Sequence, residues 1–239
     1  MSASWALLIT CEHGGNAVPG DYAPFFADWG EVLASHRGFD LGALATAQAL
    51  ARAVAAPLLA ATVSRLLVDL NRSVGHPRLF SGVTKGLPRA ARQAILAAHY
   101  HPHREAVARL VADGLAGGAT VLHIASHSFT PRLGEVTRHC DVGFLYDPGR
   151  IAEKTFCARW LRELACLDND LIVRRNYPYR GVSDGLATAL RRRFGERYMG
   201  VELEVNQRFA LGGEESLTSV SDHLADALVR ALGRKTVCL

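Results

Sequence analysis

Cysteine pairs are missing from this chain. Its five cysteines, Cys11, Cys140, Cys157, Cys166 and Cys238, are odd in number, widely spaced and without a CxxC motif. That pattern argues against a disulfide framework and a thiolate zinc site, and a reducing, cytoplasmic setting is expected. Missing too is any membrane or export signal. The opening MSASWALLITCEHGG has no basic leader, and its apolar run meets Glu12 and His13 within a few residues, so neither a signal peptide nor a membrane span is expected. Aromatic residues are sparse, at 8%, and do not interleave with basic ones as on a nucleic-acid platform, so no nucleic-acid partner is expected. The net charge of +4 is scattered. Its densest basic cluster, Arg191 to Arg193, reads as a solvated helix face. No repeat or low-complexity linker interrupts the chain, which points to one domain over residues 1–239.

What is present is a regular alternation of strand-like and helix-like stretches. The apolar run Leu7 to Ile9 reads as a buried strand that breaks into Cys11, Glu12, His13, Gly14 and Gly15. An Ala-rich helix runs from Leu41 to Ala55, with Asp40 or a neighbour as its cap. Pro57 to Val63 reads as a buried strand, Arg65 to Leu70 as a short apolar segment, and Val74 to Pro88 as a long loop. Ala90 to Ala116 reads as helix interrupted at HYHPH, where Pro102 starts a second helix. Strand Ala119 to Ser126, loop Phe129 to His139, strand Asp141 to Tyr146, helix Arg150 to Ala165 and strand Asp170 to Arg174 follow. The polar, aromatic loop Asn176 to Gly185 precedes helix Leu186 to Phe194, strand Met199 to Val205 and helix Ser216 to Leu232. This order predicts an α/β sandwich around a mixed, largely parallel sheet.

In such folds ligands sit at the carboxyl ends of strands. His13 and His127 each follow an apolar strand, and two imidazoles from two strand ends can begin a catalytic zinc site with three protein ligands. Glu12, Asn16 and Asp40 compete for the third place. Gly14 and Gly15 offer room for a metal or substrate to approach the backbone. On a period-two ladder His123 shares a face with His127 and can support it from behind. His99, His101 and His103 read as exposed imidazoles at a helix start, with His99 or His103 as minor contributors to a pocket. Glu202 and Glu204 share a face of one strand, where burial raises a carboxyl toward the range of a general base. DLNRS, residues 69–73, sets Asn71 and Arg72 together to grip a carboxylate, and Arg65 adds a second permanent cation.

Taken together CEHGGNAVP (11–19), HRGFDLGA (36–43), SRLLVDLNRS (64–73), YHPH (100–103), SHSFTP (126–131), DVGFLYDP (141–148), NYPYRGVSDG (176–185) and GVELEVNQ (200–207) give a chain that resembles the N-formylglutamate amidohydrolase family along nearly its whole length. The resemblance implies a three-layer α/β sandwich similar to zinc carboxypeptidases, of the phosphorylase/hydrolase-like kind, and to the aspartoacylase group. It implies a zinc amidohydrolase that cleaves a small anionic N-acyl amino acid such as N-formylglutamate through zinc-activated water. His13 and His127 look like metal ligands. Asn16 stands three residues after His13, where the related enzymes have a glutamate ligand. Glu204 looks like the general base, with Glu202 its competitor. Arg65 looks like the group that polarises the scissile carbonyl, while Asn71 and Arg72 look like the substrate carboxylate grip, and Tyr179 belongs to the pocket wall. The alternatives are another zinc hydrolase on the same scaffold, a carboxypeptidase or a different acyl-amino-acid amidase, and a binding protein that kept the fold.

Overall fold

The computed structural model describes residues 5–233. Its elements run β1 (Trp5–Cys11), α1 (Gly30–Leu33), α2 (Ala43–Val54), β2 (Leu58–Ala60), α3 (Arg89–Ile95), α4 (His101–Ala116), β3 (Thr120–Phe129), β4 (Arg132–Leu133), β5 (Val136–Thr137), β6 (Val142–Leu145), α5 (Ile151–Leu167), β7 (Val173–Arg175), α6 (Leu186–Phe194), β8 (Tyr198–Asn206), α7 (Arg208–Leu211) and α8 (Glu214–Ala231). Six strands form one sheet in the order β2-β1-β3-β8-β6-β7. The first four are parallel, while β6 runs antiparallel to β8 and parallel to β7. The mixed, mostly parallel α/β sheet expected from the sequence is therefore present.

Side-chain alternation divides the two faces. Ile9, Leu122, Ile124, Val201 and Leu203 meet α2, α5 and α8 in a core that includes Leu50, Trp160 and Leu224. Leu8, Val121 and Tyr198 point the other way, onto Val107 and Val111 of α4 and Leu190 of α6. Both faces are covered, as parallel strands require. In β8 this alternation sends Val201, Leu203 and Val205 into the first core and leaves Glu202 and Glu204 to the opposite side.

Several expectations change. The strand expected over Pro57 to Val63 shrinks to the half-buried edge strand β2, with Val63 bridging only to Ala17. The short apolar segment Arg65 to Leu70 is turn and irregular backbone, and its Leu66, Leu67, Val68 and Leu70 bury against Phe26, Ile95, Leu96 and Tyr100 in a separate apolar cluster. Pro102 stands in the first turn of a second helix, α4, as expected, but the helical run is not interrupted before it: α3 continues into α4 through a π turn, Leu96–Tyr100. There the wider turn tolerates the missing N–H. The loop after β3 contains the small hairpin β4-β5.

Arg191 is not on a solvated face. It is buried, its Nε donates to Glu153 Oε1 at 2.9 Å, and its Nη atoms donate to the carbonyls of Gly181 and Gly200. One guanidinium thus ties α6 to α5, β8 and the 176–185 loop. Of the cysteines, Cys11, Cys140 and Cys157 are buried free thiols and Cys166 is an exposed one. Cys238 lies outside the described residues. Among those residues no helix is long and apolar enough to cross a membrane.

Candidate metal-binding and catalytic site

The end of β1 delivers Glu12 and His13, and the Asp40 backbone N–H donates to the His13 carbonyl at 2.9 Å, which fixes the aspartate beside the imidazole. Asp40 does not cap α2. That helix starts from Gly42 without a side-chain cap, and the Asp40 carboxylate turns into the site instead. β3 contributes His127, and the sheet register places Glu204 directly opposite it on β8. The turn after β2 adds Arg65, Asp69, Asn71 and Arg72. The 176–185 loop closes the cleft with Tyr179, Arg180 and Asp184. The enclosed volume is about 210 Å³.

At its floor Asp40 Oδ2 lies 3.3 Å from His13 Nδ1 and 2.9 Å from His127 Nδ1. One donor atom from each of the three residues lies within 4.8 Å of the other two. Behind this triad each remaining imidazole nitrogen faces another carboxylate: His13 Nε2 meets Asp69 Oδ1 at 2.7 Å, and His127 Nε2 meets Glu12 Oε2 at 3.2 Å. Arg65 bridges the first and second rows, with Nη1 on Asp40 Oδ1 at 3.1 Å and Nη2 on Asp69 Oδ2 at 2.8 Å. Glu12 is fully buried, and its second oxygen faces His103 Nε2 at 3.5 Å. His103 is therefore not the exposed imidazole expected from the HPH stretch.

These contacts set the charge states. Burial alone pushes the Asp40, Asp69 and Glu12 carboxyls up. For Asp40 and Asp69 the imidazoles and Arg65 outweigh burial, for Glu12 His103 and His127 do, and all three stay well below the usual carboxylate range. Burial pushes His127 down, but Asp40 and Glu12 on its two nitrogens raise it well above an ordinary histidine. Glu204 differs: burial, with Asp40 and Glu202 nearby, pushes it up to about 8 against the pull of His127 and Arg65. Its Oε2 is buried and has no hydrogen-bond partner among the described residues. Glu202 is raised as well, chiefly by burial, but Asn71 hydrogen-bonds it.

The residues fit a divalent cation. An imidazole with a carboxylate at each nitrogen either carries both protons or exchanges one for a metal, and neutral imidazole backed by a carboxylate is the usual form of a ligating histidine. Two imidazoles, one carboxylate and an unpartnered glutamate beside them match a catalytic zinc donor set with one position open. Asp40, Glu202 and Glu204 line the cleft, with Asp69 and Glu12 behind its two imidazoles, and a cation relieves the repulsion among these carboxylates.

Asn16 is not brought to the triad. It is exposed, and its side-chain amide donates to the Leu33 carbonyl at 3.1 Å; Asp40 occupies the third place. The room left by Gly14 and Gly15 serves the backbone rather than a ligand. A Cβ at Gly15 would come within 2.6 Å of the Thr62 carbonyl oxygen, and one at Gly14 within 3.1 Å of that of Ala61. Asn71 lies at the site, with Oδ1 accepting from the Leu186 N–H at 2.7 Å and Nδ2 3.4 Å from His127 Nε2. Arg72 lines the cleft, one Nη anchored on the Asp184 carbonyl and its Nε buried without a partner. Tyr179 stands half-exposed at the mouth, stacked 5.4 Å from the Arg138 guanidinium. Asp184, which holds Ser73 through its backbone N–H and hydroxyl, and Arg78, on the cleft wall, were missed by sequence reasoning. Asp184 sits in an ordinary Ser-Asp-Gly turn and carries no local signal of its partner 111 residues away. The loop bearing Tyr179 lies hard against β6: a Cβ at Gly143 would come within 2.1 Å of the Tyr177 carbonyl oxygen, and one at Gly181 within 2.2 Å of the Tyr146 nitrogen.

His123 supports the sheet beneath the site without touching the triad. Its Nε2 pairs with Thr10 Oγ1 at 2.8 Å and its Nδ1 with the Tyr198 hydroxyl at 2.6 Å. Burial lowers its pKa from 6.5 to about 4. Between those values the unfolded chain binds a proton that the folded one refuses, so stability is complete above pH 6.5 and falls as the pH drops toward 4. The expected loss is about 3 kcal/mol. Urea denaturation at pH 7 and pH 4.5 should show a clearly smaller drop for His123→Gln than for the wild type.

Fold and site define an α/β protein whose sheet presents a carboxylate-backed His-Asp-His triad beside an unpartnered glutamate. The sequence profile of the N-formylglutamate amidohydrolase family matches residues 5–211, and the chain belongs to that family. Membership supports an amidohydrolase function. The crystal structure of gene product Atu2144 from Agrobacterium tumefaciens superposes with a TM-score of 0.82 at 28% identity, over 97% of this chain and 92% of that one. N-formylglutamate amidohydrolase from Ralstonia eutropha JMP134 superposes with a TM-score of 0.70 at 20% identity, over 95% and 94% of the two chains, a likeness of fold. No curated protein matches the chain by sequence.

Proposed function

We propose that this protein is a zinc-dependent deformylase that hydrolyses the linear amide of a small N-acyl amino acid, with N-formylglutamate, giving formate and glutamate, as the substrate class. One observation carries the reading: in a member of this family, the His13, Asp40 and His127 donor atoms converge beside the orphaned oxygen of Glu204. His13, Asp40 and His127 would hold the ion. When bound there, zinc supplies Lewis acidity toward water and carbonyl oxygen.

The remaining chemistry belongs to the chain. Glu204 takes a proton from the attacking water through its free Oε2 and returns it to the leaving nitrogen. Its raised pKa favours that return, while the nearby cations keep the ionised form accessible. Arg65 holds Asp40 and Asp69 in place and, a quarter exposed to the cleft, faces the developing oxyanion. Arg72, with its free Nε, and Asn71 orient the substrate carboxylate, and Tyr179 walls the mouth. A cleft of about 210 Å³ favours an acylated single amino acid over a peptide. A cytoplasmic setting goes with this reading, supported by the buried free thiols.

The test is formate release from N-formyl-L-glutamate by protein of measured metal content. Activity should disappear after chelation and dialysis and return with one equivalent of zinc. Full turnover by verified metal-free protein would remove zinc from the proposal, and release from formyl peptides at equal rates would remove the small-substrate claim.

A further inference from the structure

A second cavity lies on the far side of the 74–80 loop, against α3 and the π turn. At about 340 Å³ it is larger than the catalytic cleft. Its lining is divided by chemistry. Leu79, Phe80 and Leu96 give an apolar floor, while Lys85, Arg89 and Arg92 bring three cations to the rim. No carboxylate lines it, and none of the three cations has an ion-pair partner among the described residues. Arg92 is the most committed: its guanidinium sits 5.9 Å from the Phe80 ring centroid, and its Nε is buried without a hydrogen-bond partner. A buried N–H left unpaired is costly, and three like charges around one hollow repel one another. Both costs fall when an anion enters.

We propose that this cavity is a second ligand site, for a small amphipathic anion with one carboxylate, sulfonate or phosphate head and an apolar body. The head meets Arg92, Arg89 and Lys85, and the body covers Phe80 and the exposed Val74 above the buried Leu79 and Leu96. Inorganic phosphate alone would leave that apolar floor wet, so the body is part of the recognition. The site is independent of the catalytic reading, but the two hollows share a wall. His76 and Pro77 line this cavity, and Arg78, the next residue, lines the catalytic cleft.

The experiment titrates the folded wild-type protein with 1-anilinonaphthalene-8-sulfonate, an amphipathic anion, and with N-phenyl-1-naphthylamine, its uncharged counterpart. The charged dye should bind at least tenfold more tightly. The triple variant Lys85→Gln/Arg89→Gln/Arg92→Gln should weaken it at least tenfold, with far-ultraviolet dichroism and thermal midpoint unchanged. Arg159→Gln, at the separate cavity beside Phe156 and Met199, should leave the affinity as it was. Should the triple variant fail to fold, Lys85→Gln and Arg89→Gln, both exposed and unpaired, should each cost a few fold. Equal affinity for the two dyes, insensitivity to these substitutions, loss on Arg159→Gln, or displacement of the dye by inorganic phosphate at matching concentration would overturn the proposal.

Discussion

Glu204→Gln is expected to lower kcat for N-formylglutamate hydrolysis by about 10³-fold, within the range found for positioned general bases, while fold and zinc content stay unchanged. Folding should be spared because burial already favours the uncharged carboxyl at this position, with its pKa raised to about 8, so a neutral amide of the same shape costs little. KM should change less than kcat, since the lost proton transfer belongs to the transition state. Glu202→Gln is the control. Its carboxylate is hydrogen-bonded by Asn71, and a loss of about tenfold is expected, from disturbed positioning rather than lost proton transfer. If Glu202→Gln proved the more damaging change, the roles of the two glutamates would be exchanged.

The second large effect concerns Asp40. Its two oxygens touch His13, His127 and Arg65 at once, so Asp40→Ala removes one metal donor and leaves Arg65 with only Asp69. Zinc measured by elemental analysis should fall from one equivalent to below about a tenth, with activity reduced about 10³-fold or more, because a three-ligand site with one ligand missing seldom keeps its ion. A His103→Leu variant gives the graded companion. His103 only supports Glu12 behind His127, and changes at such supporting positions cost about 10 to 100-fold in metal affinity. His103→Gln, which keeps a donor toward Glu12, should recover part of that loss. Asp40→Ala protein with undiminished zinc would dismiss the triad.

Much of this was legible in the sequence. The order of apolar runs and helical stretches foretold the sheet, and the period-two pattern of β8 foretold that Glu202 and Glu204 leave the face occupied by Val201 and Leu203. His13 and His127 were legible as strand-end imidazoles. The third member of the triad was open because spacing along the chain says nothing about which loop folds back. Asp40 reads locally as a helix cap, and only the hydrogen bond from its backbone to the His13 carbonyl turns it inward. Asn16 stood at the right offset but sits on an exposed turn satisfied by the Leu33 carbonyl. Arg191 and His103 failed for a related reason: a charged residue in a polar run reads as solvated until a buried partner, Glu153 for one and Glu12 for the other, arrives from a remote segment.

The two glycines where the 176–185 loop meets β6 carry a consequence for engineering. Where backbone rests on backbone, at Gly143 and Gly181, no side chain can be trimmed to widen the opening, and none can be enlarged without lifting the whole span. That span acts as a fixed lintel over the cleft that Glu204 lines. Selection for bulkier substrates should therefore accumulate changes at its exposed tip, Tyr179 and Arg180, and across the doorway at Arg78, while the stonework beneath stays as it is.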